Sequence, residues 1–222
     1  MVLSTSEVRA FYDRFGKKQD TQGFYENPAL DDLIAHGAFA EAEKVFEFGC
    51  GTGRLAALLL AGHLPPSATY VAFDLSPTMI DLATKQLAPY ADRVQVLLSN
   101  GTIKLPLPDN SVHRVISTYV LDLLSEEDSR DFLQEAHRVL MSGGKLCLVS
   151  LTRGKTLISR LVTFLWSVVY RLRASLVGGC RPISLKKDLD PDPLDWKMEY
   201  HKVIISFGVP SEVLILSKKS SR

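Results

Sequence analysis

VFEFGCGTGRL, Val45 to Leu55, is a short apolar run, then glycines at 49, 51 and 53, then the start of a segment rich in alanine and leucine. Alternate glycines after a buried strand let the backbone turn sharply. They also let a ligand approach main-chain N–H groups that no Cβ shields. The dinucleotide fingerprint needs a glycine at position 54, where this chain has Arg54. The stretch therefore predicts a strand–loop–helix unit that binds a ligand closely, and it argues against a nicotinamide dinucleotide.

The surrounding composition narrows the class. The 222 residues suit one α/β domain, and 46% hydrophobic with 23% charged residues is ordinary for a chain that buries a full core. Lys plus Arg (26) nearly balance Asp plus Glu (25), so no global field recruits nucleic acid. Cys50, Cys147 and Cys180 are scattered and odd in number, which suggests neither a disulfide framework nor a metal site. The first residues, MVLSTSEVRAFYDRF, lack an apolar core of signal-peptide length, so a cytoplasmic location is expected.

Outward from the glycine loop, periodicity predicts alternating helices and strands. Val8, Phe11, Tyr12 and Phe15 mark an amphipathic helix over 6–15; Asn27 before Pro28 reads as the cap of a second over 28–42. The loop between them carries Gln19, Phe24 and Tyr25, and this part either caps the glycine loop or covers a sheet edge. After a helix over 54–62, ATYVAFDLS is a strand ending in Asp74, about twenty residues past the last loop glycine. A doubly wound sheet offers a carboxylate to ribose hydroxyls there, although an acid at a strand end can also simply cap the next helix. A helix over 77–87, a strand ending at Asn100 and Gly101, and a strand over 112–118 ending in Thr118 follow. Ser125 caps the next helix, whose His137 reads as structural, and MSGGKLCLVSL reads as a glycine turn and a fully buried strand. The glycine loop, Asp74, Asn100 and Thr118 all fall at carboxyl ends of strands, where ligands bind in such sheets.

The segments FEFGCGTGRLA, VAFDLSPTMI, LPLPDNSVHRVIS and EAHRVLMSGGKL, in this order between Val45 and Ser150, resemble the class I S-adenosylmethionine-dependent methyltransferases, in particular the type 11 branch with the ubiquinone and menaquinone biosynthesis enzymes. The resemblance implies an α/β Rossmann-like, doubly wound fold: a seven-stranded, mostly parallel sheet closed by an antiparallel terminal hairpin. It implies that Glu47 and the loop Gly49, Cys50, Gly51 and Gly53 hold the methionine part of the cofactor, and that Asp74 binds the ribose. By the same carry-over Leu75 and Met79 flank the adenine, and Asn100 with Gly101 borders the base edge, where many relatives have an acid followed by alanine.

The single domain then divides into an N-terminal helical cap (1–43), a cofactor-binding core (44–155), a substrate-side helix and loop (156–197) and a closing hairpin (198–219). Residues 156–179 are apolar nearly all round, yet Arg160 and Arg171 bracket too few uncharged residues to span a bilayer. Three readings follow: a helix packed on the sheet, a lid over an apolar acceptor, or an interfacial helix in peripheral contact with a membrane. KKDLDPDPLD (186–195) reads as a loop. Two β-rich runs follow, joined by Gly208, Val209 and Pro210, with His201 read as structural.

A sulfonium methyl group is already activated, so the protein must chiefly align a nucleophile and exclude water. Where the acceptor must lose a proton, Asp122, His36, Tyr12 and Tyr25 are the candidate bases. The expected activity is methyl transfer to a small, apolar or lipid-like acceptor. Methylation of a protein or peptide side chain, and cofactor binding without catalysis, are the alternatives. No metal and no nucleic-acid partner are expected, and the oligomeric state is not legible.

Overall fold

Phe46 and Phe48 point to one side of the first strand and Val45 and Glu47 to the other, all of them buried, as in a strand covered on both faces. The computed structural model describes residues 2–188 and 196–219 and places this strand, β1 (Lys44–Phe48), near the middle of one sheet. The other strands are β2 (Thr69–Asp74), β3 (Val94–Leu98), β4 (Val112–Thr118), β5 (Leu140–Leu151), β6 (Trp196–Ser206) and β7 (Val209–Lys218). Their order is β3-β2-β1-β4-β5-β7-β6, parallel except for β7, which is antiparallel to both β5 and β6. This is the expected seven-stranded α/β sheet, and strand order reverses between β1 and β4.

The helices are α1 (Thr5–Phe15), α2 (Gly23–His36), α3 (Arg54–Gly62), α4 (Pro77–Gln86), α5 (Glu126–Val139), α6 (Leu157–Arg173) and the single turn α7 (Leu185–Asp188). On one face Leu33, Leu55, Leu59 and Ala83 of α2, α3 and α4 meet Val45, Tyr70, Ile116 and Ile215. On the other, Phe132, Leu133 and Ala136 of α5 meet Phe46, Phe48, Val115 and Leu148. Arg114 is buried under the first face and donates to the carbonyls of Gly37 (Nε, 2.8 Å) and Ala38, which satisfies the end of α2.

Several boundaries differ from the sequence expectation. α2 begins at Gly23 and ends at His36, so Asn27 is not its cap and Pro28 lies inside it. Proline leaves the carbonyl four residues back, that of Phe24, without a helical donor, and the Ser206 hydroxyl fills the place at 3.1 Å. The glycine turn expected at 143–144 is an irregularity inside β5, where Ser142 and Gly143 are exposed; only the later part of the strand is fully buried. The hairpin turns on Phe207 (φ +49°) and Gly208 (φ +80°), and Val209 and Pro210 belong to β7, because a two-residue connection needs positive φ at both central positions. Of the loop expected at 186–195, residues 189–195 lie outside the described residues. His201 bonds the buried Glu212 (2.7 Å), and His137 meets Trp196 edge-on, both in packing roles.

Candidate functional site

β1 stops because its chain bends over β2: the N–H groups of Gly49 and Cys50 both donate to the Phe73 carbonyl, at 2.7 and 3.0 Å. Gly49 has φ +81°, and a Cβ there would lie 2.3 Å from the Val120 side chain. The turn thus needs glycine for conformation and for space. The Gly51 N–H donates to Asp74 Oδ2 (2.8 Å) and the Ser76 N–H to Oδ1 (2.9 Å). Burial pushes the Asp74 carboxyl up, against the pull of these backbone donors. Each oxygen retains accepting capacity toward a cavity that Asp74 borders with Leu75, Ser99, Gly101 and Thr118.

The N-terminal segment closes this cavity. Thr5, Val8 and Tyr12 of α1 line it, as does Gln19, whose side chain lies against Gly51. Asp13 accepts from the Ser76 hydroxyl at 2.6 Å, and Asp20 from the Thr52 hydroxyl at 2.7 Å. Neither acid was anticipated, since nothing in their spacing distinguishes them from a solvated helix face and a polar loop. A smaller hollow beside the loop brings Glu47, Cys50 and Thr118 together with Asp20, Glu26 and Arg54. Glu47 is buried and accepts from the Tyr70 hydroxyl at 2.8 Å; burial raises its pKa to about 8. Burial likewise raises Glu26 to about 7, although Arg54, 2.9 Å away, pulls it down.

Four expected positions line neither hollow. Met79 is 1% exposed and packed in the core below α4, outside the cavity lining. Asn100 is exposed, and its amide oxygen accepts from the Thr102 N–H (3.1 Å) and hydroxyl (2.8 Å), so Ser99 and Gly101 form that wall instead. Gly53 starts α3 and lets it pack on Ala83 of α4. His36 stacks on Tyr200 (3.8 Å) at the far end of α2, about 16 Å along the helix from Tyr25.

Beside the cavity the other candidate bases converge. The Tyr12 hydroxyl lies 3.8 Å from Cys180 Sγ, and Trp166 Nε1 donates to the Cys180 carbonyl at 3.0 Å. Tyr25 packs edge-on against Tyr119, whose hydroxyl shares a 2.8 Å hydrogen bond with Ser211 and whose φ is +56°. Asp122, fully buried, faces this group and interacts electrostatically with Tyr12, Tyr25, Tyr119 and Cys180. Neither of its carboxyl oxygens has a hydrogen bond of good geometry. Burial raises it to about 7, which the nearby Leu151 N–H and Arg181 offset only in part. Burial also drives the Tyr12 and Tyr25 hydroxyls well above the ordinary tyrosine range, which removes them as bases near neutral pH.

Residues 45–144 match the family described as Methyltransferase domain. The sheet order and the glycine loop at its switch point agree with that match: they are the fold of the class I S-adenosylmethionine-dependent methyltransferases, whose methyl donor is S-adenosylmethionine. The chain is 27% identical to a tRNA N(3)-methylcytidine methyltransferase of Drosophila melanogaster over 126 residues, 55% of this chain and 39% of the relative. It is 32% identical to a demethylmenaquinone methyltransferase of Chlamydia trachomatis over 132 residues, 59% and 52%. The chain thus spans about half or less of the length of these relatives. A solved structure assigned as a methyltransferase from Bacillus halodurans shares the fold with TM-score 0.66 and 17% identity, over 86% of this chain and all but 1% of that one (99%). With a tRNA enzyme among the relatives, near-neutral charge alone does not separate small-molecule from nucleic-acid acceptors in this family.

Proposed function

We infer that the protein transfers a methyl group from S-adenosylmethionine to a small, apolar acceptor that carries one ionisable group. The observation supporting this most directly is Asp122: a fully buried carboxyl with no side-chain hydrogen-bond partner and no backbone donor in good geometry, electrostatically coupled to Tyr12, Tyr25, Tyr119 and Cys180. A buried polar group left unpaired is costly, and a polar ligand atom in an otherwise aromatic enclosure is its natural partner. With a pKa near 7, Asp122 suits taking a proton from an acceptor hydroxyl, thiol or ammonium.

The residues fit the cofactor. Gly49 and Gly51 leave open backbone where a Cβ would intrude, and Asp74 presents acceptor oxygens to the larger cavity. In this reading Asp74 binds the ribose hydroxyls, and Leu75, Ser99 and Gly101 border the base. Glu47, Asp20 and the loop through Cys50 and Gly51 surround the methionine end, with Thr118 between the two hollows. When bound, S-adenosylmethionine supplies an electrophilic methyl group on a sulfonium. The chain aligns the acceptor, keeps water out with α1 and the aromatic side chains, and moves the acceptor's proton to Asp122. A cytoplasmic setting agrees with three unpaired cysteines.

The test is transfer of labelled methyl groups from the cofactor into a cell extract, followed by fractionation. Label in the small apolar or lipid fraction is the expected result. Label in protein or RNA would replace the acceptor class, and no label with retained cofactor binding would point to a non-catalytic role.

A further inference from the structure

Along α6 the polarity is inverted relative to a packed helix. Its only buried side chains are Ser159 and Thr163, and both hydroxyls are satisfied locally: Ser159 bonds Thr156, and Thr163 donates to the Ser159 carbonyl at 2.9 Å. Gly154 approaches this inner side so closely that a Cβ would lie 2.2 Å from the Ser159 backbone. The opposite side carries Leu157, Leu161, Phe164, Leu165, Val168 and Leu172, spaced by three and four, and Leu157 and Leu172 are more than 80% exposed. Of the three readings of this helix, packing on the sheet holds only for the narrow side that carries Val162 and Trp166, while the wider apolar side faces outward.

The apolar surface continues beyond the helix. Gly208 at the hairpin tip sits against Val162 and Ile158, which brings Phe207 (81% exposed) beside α6, and Phe24 packs edge-on to Phe207 with ring centroids 5.5 Å apart. A patch of this extent on a folded domain marks an interaction surface. Charge decides which kind. Between residues 151 and 187 the chain has eight Lys and Arg and no Asp or Glu, although the whole molecule carries +1. Seven of the eight are exposed: Arg153, Lys155, Arg160, Arg171, Arg173, Lys186 and Lys187.

We propose that α6, with Phe207 and Phe24, lies in the surface of an anionic lipid bilayer, its apolar face among the acyl chains and its flanking basic side chains among the headgroups. The helix is about 25 Å long and no described helix is long and apolar enough to cross a membrane, so it lies in the interface plane. Nucleic acid would find cations here but no use for a leucine and phenylalanine face, and a second copy of the chain would bring like charges together. The placement also has a consequence for access. Val162 and Trp166 of α6 pack on Tyr25, Leu151 and Val209, so the docked face covers the enclosure around Asp122 and an apolar molecule dissolved in the bilayer has a short way to it.

The proposal rests on the fold and surface, independently of methyl transfer, and its test needs neither donor nor acceptor. In co-sedimentation, the full chain should bind phosphatidylcholine–phosphatidylglycerol vesicles and leave pure phosphatidylcholine vesicles largely unbound, with affinity falling as salt rises. Leu161→Glu with Leu165→Glu should weaken binding by about 100-fold or more, and Arg160→Gln with Arg171→Gln by about tenfold. All four side chains are exposed, so thermal unfolding should be unchanged; Leu172→Glu is the single-site control. Failure of the wild type to bind anionic vesicles would overturn the proposal. So would a stable dimer without vesicle binding, or tRNA binding in place of vesicle binding that the leucine variants retain.

Discussion

Asp74 and Asp122 are both buried carboxyls near strand ends, yet their surroundings set them different tasks. Asp74 has a well-aligned backbone donor on each oxygen and stays available to hydroxyls in the cavity; Asp122 has only poorly aligned backbone N–H groups, its own and that of Leu151, near its carboxyl. Asp74→Ala should weaken S-adenosylmethionine binding by about 10- to 100-fold in calorimetry, the scale of one to two hydrogen bonds to a charged group. Asp122→Asn should leave cofactor affinity nearly intact and lower kcat by about 100-fold or more. Only the carboxylate accepts a proton, so wild-type turnover should fall as pH drops through about 7, and this limb should vanish in the variant. An unchanged pH profile would make Asp122 structural. Asp74 was legible because a strand end in a parallel sheet fixes where a side chain must go. Asp122 appeared only among four candidates, because its environment is assembled from α1, α2, β4 and the segment after α6. Met79 and Asn100 do not line the cavity for local reasons, a buried helical phase in one case and an Asn–Thr turn in the other.

At the scale of elements, sequence periodicity placed α3 and β4 at their observed limits, since glycine, proline and β-branched residues punctuate them sharply. It failed at α2 because Asn27–Pro28 has the chemistry of a helix start, and what permits proline inside the helix is a hydroxyl from β6, 182 residues beyond the carbonyl it serves. That arrangement predicts a coupling. Ser206→Ala should destabilise the fold by about 1 kcal/mol, by leaving the Phe24 carbonyl unpaired. Pro28→Ala supplies the missing helical N–H, so in a double-mutant cycle by denaturant unfolding the Ser206→Ala cost should shrink to near zero in the Pro28→Ala background. A cost of equal size in both backgrounds would remove the assignment. The three readings of 156–179 could not be separated in one dimension either. Leucine, valine and phenylalanine occupy most of that helix, and only its seat on Ser159 and Thr163 shows which side faces out.

For the whole molecule, three acids share one neighbourhood and one direction of shift: Glu26 to about 7, Glu47 to about 8 and Asp122 to about 7, each by burial first. Above pH 4.5 the unfolded chain releases these protons while the folded chain retains them, so folded stability falls as pH rises toward 8 and is fully present only below the unfolded values. The ligand-free protein should therefore unfold at a clearly lower temperature at pH 8.5 than at pH 5.5, and Glu47→Gln should flatten that slope. The donor offers a remedy, because its methionine end carries an ammonium and, in the proposed pose, brings that cation into the hollow beside Glu47, Asp20 and Glu26. A cation there favours the ionised acids, so saturating S-adenosylmethionine should raise the unfolding temperature more at pH 8 than at pH 6. In Glu47→Gln the difference between the two pH values should narrow. An equal ligand-induced rise at both pH values in the wild type would show that the ammonium lies elsewhere, and would separate the acids of this hollow from cofactor binding.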